Sequence, residues 1–145
     1  ARRAALLHDC TKVFSMEQHL SLCRQYGVEP DEMERQEEPL LHAITGAALA
    51  REIFGASREI ESAIRYHTTG KADMTTLQKI IYLADYIEPT RSFRDLSEVR
   101  RLAVEDLDRA CLWSFTMSVE HLEEKGYAVH PNSVYARDYL KGQLS

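Results

Sequence analysis

The chain has 145 residues, enough for one domain with a substantial core, and its formal net charge of −5, from 18 Lys plus Arg against 23 Asp plus Glu, excludes a uniform basic field for a nucleic acid polymer. Three separated cysteines, Cys10, Cys23 and Cys111, offer neither a disulfide framework nor a CxxC metal knuckle and fit a reducing cytoplasm. No apolar run is long enough to cross a bilayer, and no signal-peptide pattern is present.

Helical periodicity runs through nearly the whole chain. Residues Ala1 to Cys10 read as the end of a helix, which predicts that the sequence starts partway into a domain. A short helix is expected from Ser15 to Tyr26, with Ser15 as N-cap and Gly27 as the stop. An acidic connector, Glu29 to Glu38, follows. Pro39 then opens a helix that reaches Phe54 and ends at Gly55. Ser57 caps a helix to His67, without a reciprocal capping box because Ile60 stands three residues on.

Thr68 to Lys71 form a polar turn, and a helix from about Thr75 to Ile87 is halted by Pro89. A charged loop carries Arg91, Phe93 and Arg94. The stretch from Ser97 to Glu124 reads equally as one long helix or two with a bend, and a short last helix runs from about Ser133 to Leu140. No alternating strand pattern or internal repeat occurs, so the fold class is all-α, a helical bundle in a single domain over residues 1–145.

Metal-binding residue types recur on faces that should point inward. His67 continues the apolar stripe of Ile60, Ala63 and Ile64, and Asp85 that of Leu77, Ile80, Ile81 and Ala84. His8 shares a face with Ala1, Ala4 and Ala5, and His42 shares one with Gly46, Leu49 and Ile53. One inward His is commonly a hydrogen-bonded core residue, and an inward Asp can be paired with Arg or Lys. Several such residues on successive helices point instead to a shared metal site, because an isolated buried charge costs far more than a core returns. His19 and His121 fall on charged or mixed faces and read as surface residues; Trp113, Phe115 and Tyr127 read as core.

The pair His8-Asp9 within Ala5-Leu6-Leu7-His8-Asp9 resembles the signature of the HD phosphohydrolases. The phrases around His42 (Leu41 to Gly46), His67 (Ala63 to Gly70) and Asp85 (Ile80 to Pro89, with Arg91), and the late Val129 to Ser133 segment, are similar to its YqeK branch. That branch comprises symmetrical bis(5'-nucleosyl)-tetraphosphatases. The resemblance implies an HD-domain bundle that cleaves diadenosine tetraphosphate into two ADP by attack of a metal-bound hydroxide, with a small nucleotide as its partner and a homodimer as its assembly. It also implies one more His on a helix upstream of the HD pair, a role that no residue of this sequence fills.

By the same resemblance one ion is held by His8, Asp9, Asp85 and that upstream His, and a second by Asp9, His42 and His67. Imidazole and carboxylate without thiolate suit iron, the first choice, or manganese or another divalent transition metal. Lys12, just beyond the HD pair, is the candidate for neutralising charge on the reacting phosphate, with a solvated helix-end lysine as the equal alternative, and Arg91 is the candidate for a bidentate phosphate clamp. Thr68, Thr69 and Gly70 are candidates for a phosphate cradle, and His130, Asn132 and Ser133 for a loop over the nucleotide. For the last group a Pro-containing turn, with Asn132 or Ser133 capping the final helix, is the equal alternative. An HD hydrolase of another nucleotide, and a non-catalytic nucleotide-binding HD domain, are the competing functions.

Overall fold

A computed structural model of the protein describes residues 1–91 and 94–145. Phe93 therefore lies outside the described residues. These comprise nine helices and no strand, as the helical periodicity requires, and they divide into two compact units, Ala1–Thr68 and Thr69–Ser145.

The first unit holds α1 (Arg2–Leu7), α2 (Met16–Tyr26), α3 (Glu32–Gln36), α4 (Glu38–Phe54) and α5 (Arg58–Arg65). Its axis is α4, which packs against α2, α3 and α5, while α1 packs against α5. Every residue from Leu41 to Ala48 is buried. The small side chains of Ala43, Gly46, Ala47 and Ala48 let neighbouring helices approach from several sides, so this helix has no polar face over that stretch. Leu41 and Ile44 join Cys23 in one apolar cluster, and Ala47, Ala50 and Ile64 form another.

Local signals set most boundaries. Ser15 caps α2 in a reciprocal capping box with Gln18, and Gly27 ends it in the left-handed region at φ 67°. Ser57 caps α5 through the Ile60 N–H alone. That helix stops at Arg65, so His67 lies just beyond it, with its N–H still bonded to the Ile64 carbonyl. The expected acidic connector is in part a helix: Asp31 and Glu34 form a capping box that starts α3, and Glu34 is buried with its Oε2 2.9 Å from Arg65 Nη2. Local capping and one internal ion pair outweigh the acidic composition that suggested irregular chain. His19 is likewise no surface residue; it is completely buried, on the same side of α2 as Cys23.

The second unit holds α6 (Thr76–Tyr86), α7 (Ser97–Glu105), α8 (Leu107–Glu124) and α9 (Pro131–Leu144). Here α8 is central and packs against the other three. Of the two readings of the long periodic stretch, the bend is the one adopted. Asp106 takes an extended conformation and its side chain caps α8 through the Arg109 N–H. The core gathers Met74, Tyr82, Leu83, Leu96, Val99, Cys111, Phe115 and Leu140, with Trp113 packed at its edge.

Tyr82 stacks on Phe115 with ring centroids 4.1 Å apart, and this pair turns α6 away from the face its aliphatic pattern suggested. Gln78, Ile81, Tyr82 and Leu83 are buried, whereas Ile80 and Ala84 are exposed and Asp85 is only half-buried. Tyr127 is 65% exposed instead of core: it follows Gly126, whose φ of 72° ends the preceding turn and carries the ring outward. The last helix begins at Pro131, and its cap is His130, whose Nδ1 accepts from the Asn132 N–H. Neither Asn132 nor Ser133 caps it.

Candidate metal centre

The HD pair sits where α1 has ended, in consecutive turns closed by the bonds from Cys10 N–H to Leu7 O and from Lys12 N–H to Asp9 O. Those turns lie against α4 at Gly46. A Cβ at that position would stand 3.4 Å from the His8 carbonyl and 3.5 Å from Thr11 Oγ1, so only a very small residue lets the HD turn come this close. His42 projects from α4 one turn before that glycine. His67 arrives from the end of α5.

These three elements bring four of the expected ligands together. Asp9 Oδ1 is 3.1 Å from His42 Nε2 and 3.5 Å from His67 Nε2, while Asp9 Oδ2 is 3.3 Å from His8 Nε2. Candidate ligand atoms of His8, Asp9 and His67 all lie within 4.8 Å of one another. His42 joins them through Asp9 and through His67, whose Nε2 is 3.0 Å from its own. His42 and His67 are buried, and the edge-on rings of His8 and His67 are 5.1 Å apart.

Backbone groups orient two of the rings. His8 Nδ1 lies 2.6 Å from the Ala5 carbonyl, and His67 Nδ1 lies 2.6 Å from the Ile64 carbonyl. A carbonyl only accepts, so each Nδ1 carries its proton and donates. In the neutral ring Nε2 is then a bare lone pair aimed at the cluster, the tautomer that a metal-ligating histidine adopts. The donor set therefore fits a divalent transition metal: imidazole nitrogens and a carboxylate converge with their lone pairs facing inward.

Hydrogen bonds from His42, His67 and His8, in that order, hold the Asp9 carboxyl far below the usual carboxylate range wherever those rings present a proton to it, against the opposing effect of burial. Lys12 stands beside it with Nζ 3.6 Å from Asp9 Oδ2, and its side chain is largely in solvent. Burial pushes the Cys10 thiol up, so that residue is no ready nucleophile.

The remaining expected site residues behave differently. Within the second unit Arg91 Nη2 is 3.2 Å from Asp85 Oδ1, so the carboxylate has an arginine partner. Thr69 is buried and its hydroxyl donates to the Gly70 carbonyl. Gly70, at φ 70°, is pressed under Phe115. These two are packing residues here and not an open cradle, while Thr68 is half-buried. Ser133 donates its hydroxyl to the Thr69 carbonyl at 2.7 Å, which ties the start of α9 to that segment.

Sequence reasoning missed the polar residues behind the centre: Thr11, His19 and Thr45 are buried and hydrogen-bonded in series. The stripe test applied to His67 would have found His19, since Met16 and Cys23 lie at i−3 and i+4.

A sequence profile described as "HD domain" matches residues 1–90, which include the four clustered residues and Asp85. The chain belongs to the HD domain family. Two curated members are named symmetrical bis(5'-nucleosyl)-tetraphosphatase. The one from Bacillus subtilis (strain 168) is 37% identical over 141 residues, and the one from Halalkalibacterium halodurans is 38% identical over 141 residues; each alignment covers 97% of this chain and 75% of the relative. A crystal structure titled as a "predicted HD superfamily hydrolase involved in NAD metabolism", from Clostridium acetobutylicum, superposes with a TM-score of 0.90 at 39% identity, covering 97% of this chain and 75% of that one. Among the described residues of this HD domain no helix is long and apolar enough to cross a membrane.

Proposed function

We propose that the chain hydrolyses diadenosine tetraphosphate symmetrically to two molecules of ADP, with iron, or else manganese, as its metal and the cytoplasm as its compartment. The relatives named above share this activity in their names, and the three free cysteines suit a reducing compartment. One observation carries the chemical side: the Asp9 carboxylate divides its two oxygens, Oδ2 toward His8 and Oδ1 toward His42 and His67. A carboxylate so placed can bridge two cations.

In this reading Asp9, His42 and His67 would hold one ion, and His8 with Asp9 the other, with Asp85 assigned there by the family resemblance alone. Such ions supply Lewis acidity, an acidified water and charge neutralisation at phosphate oxygens. The protein's own groups do the rest. The carbonyls of Ala5 and Ile64 keep the His8 and His67 lone pairs facing the centre. Lys12 places a cationic amine beside the same carboxylate edge, within the flexible reach of its stem, where it offsets charge on a phosphate. Arg91 contacts Asp85 through one nitrogen, which leaves further guanidinium N–H donors for the polyphosphate.

Hydrolysis at the middle of the polyphosphate adds water across one P–O–P link. The water oxygen stays on one ADP and the bridging oxygen leaves with the other. Incubation with diadenosine tetraphosphate and ferrous or manganous ion, followed by anion-exchange chromatography, tests this. ADP alone is the expected product; AMP with ATP, or no turnover, contradicts it.

A further inference from the structure

Behind the metal centre three side chains from three segments form one buried chain of hydrogen bonds. His19 Nδ1, on α2, is 2.8 Å from Thr45 Oγ1, on α4; Thr45 Oγ1 is 2.9 Å from Thr11 Oγ1, in the HD turns; and Thr11 Oγ1 is 3.0 Å from the His42 carbonyl. All three residues are at most 1% exposed.

Proton accounting fixes the direction. A carbonyl cannot donate, so Thr11 spends its single hydroxyl proton on His42 O. Thr11 must then accept from Thr45, and Thr45, having given its proton, must accept from His19 Nδ1–H. The further approach of Thr45 Oγ1 to the Leu41 carbonyl, at 3.1 Å, shares that same proton in a three-centre bond. His19 is thereby a neutral ring protonated on Nδ1, and its Nε2, which has no hydrogen-bond partner, is a lone pair and not an orphaned donor. Burial favours the neutral ring as well, outweighing Glu38 and the Phe14 carbonyl, which act the other way.

Both ends of this chain are at the candidate ligands. Thr11 stands two residues after Asp9, and the carbonyl it grips belongs to His42. The HD turns have no helix of their own to hold them, so their register against α4 depends on contacts of this kind. We propose that His19 is a positioning residue of the metal centre: acting through Thr45 and Thr11, it locks the turn that carries Asp9 to the backbone that carries His42. The proposal rests on the reading above that these residues bind metal.

Manganese titration of the full chain, with free ion followed by electron paramagnetic resonance and folding checked by circular dichroism, tests it. His19→Phe keeps a ring but loses the donor, and manganese binding is expected to weaken by about 10- to 100-fold, the usual cost of losing an outer partner of a ligand. His19→Asn, which sets an amide N–H where Nδ1 stood, is expected to recover most of that loss, which a purely space-filling role would not allow. Thr45→Val, close in shape, is expected to match His19→Phe, and the double variant to bind no worse than either. Wild-type binding by His19→Phe, an Asn variant as poor as Phe, or losses that add in the double variant would overturn the positioning role. Wild-type protein that takes up no manganese would instead overturn the metal reading on which it stands.

Discussion

His42 Nε2 and His67 Nε2 lie 3.0 Å apart in a buried site, on rings carried by α4 and by the segment after α5. The Ile64 carbonyl takes the Nδ1 proton of His67, so in the neutral ring the facing nitrogen is a lone pair. A lone pair this close to the His42 nitrogen needs a proton or a cation between or beside the two. Asp9, which touches both rings, supplies the negative charge that makes a cation favourable.

Asp9 is thus the residue whose loss should be felt most. Asp9→Ala is expected to remove bound metal and turnover together, weakening metal affinity by more than the roughly 10- to 100-fold that an outer partner costs. Metal analysis of protein purified without chelator, set beside ADP release, checks this. A metal-loaded and active variant would refute the assignment.

Arg91 should act on substrate. A hydrogen bond to a charged group contributes about 1.5–3 kcal/mol, so Arg91→Ala is expected to lower kcat/KM by about 10- to 100-fold. The loss should fall mainly on KM. Arg91→Lys keeps the charge without the fork and should recover only part of it. Unchanged steady-state kinetics in Arg91→Ala would leave that side chain with no role beyond its contact to Asp85.

Much of the candidate site was legible because inward polar residues leave a mark that packing alone does not explain. His67 on the stripe of Ile60, Ala63 and Ile64, and His8 on the face of Ala1, Ala4 and Ala5, are polar residues where the period calls for apolar ones, whereas Asp9 came from the resemblance. Asp85 was harder, because the stacking of Tyr82 on Phe115 chooses the buried face of α6, and aromatic stacking is tertiary information. His19 was missed for a different reason. Charged neighbours on α2 hid an inward position whose hydrogen-bond partner lies 26 residues away on α4. The short α3 was lost to composition, since the six acidic residues from Glu29 to Glu38 mask the Asp31 and Glu34 capping box.

Gly70 packs where no side chain fits. At φ 70° an added Cβ would fall inside the contact distance of two Phe115 ring atoms. Gly70→Ala is expected to destabilise the fold by about 2–4 kcal/mol, from left-handed backbone strain plus overpacking. Urea unfolding midpoints check this; an unchanged midpoint would show that Phe115 yields without cost.

Alkaline pH should expose the buried thiol of the second unit. Burial pushes Cys111 up from its ordinary 9.0 to about 12. Between those values the folded chain holds a proton that the unfolded chain has released, so stability falls as pH rises through that window, by at most ~1.4 kcal/mol per pH unit from this group. Below pH 9 the contribution is fully retained. Denaturant titrations from pH 8 to 11.5 should give a steeper decline for wild type than for Cys111→Ala, and parallel declines would contradict the assignment.

The central claim is that Asp9 joins three imidazoles around shared cations, and crystals loaded with manganese read it directly. Anomalous difference maps should place a peak within bonding distance of Asp9 Oδ1, His42 Nε2 and His67 Nε2, with a second beside Asp9 Oδ2 and His8 Nε2. Saturating manganese that leaves no peak at Asp9, or binds only elsewhere on the surface, would contradict it.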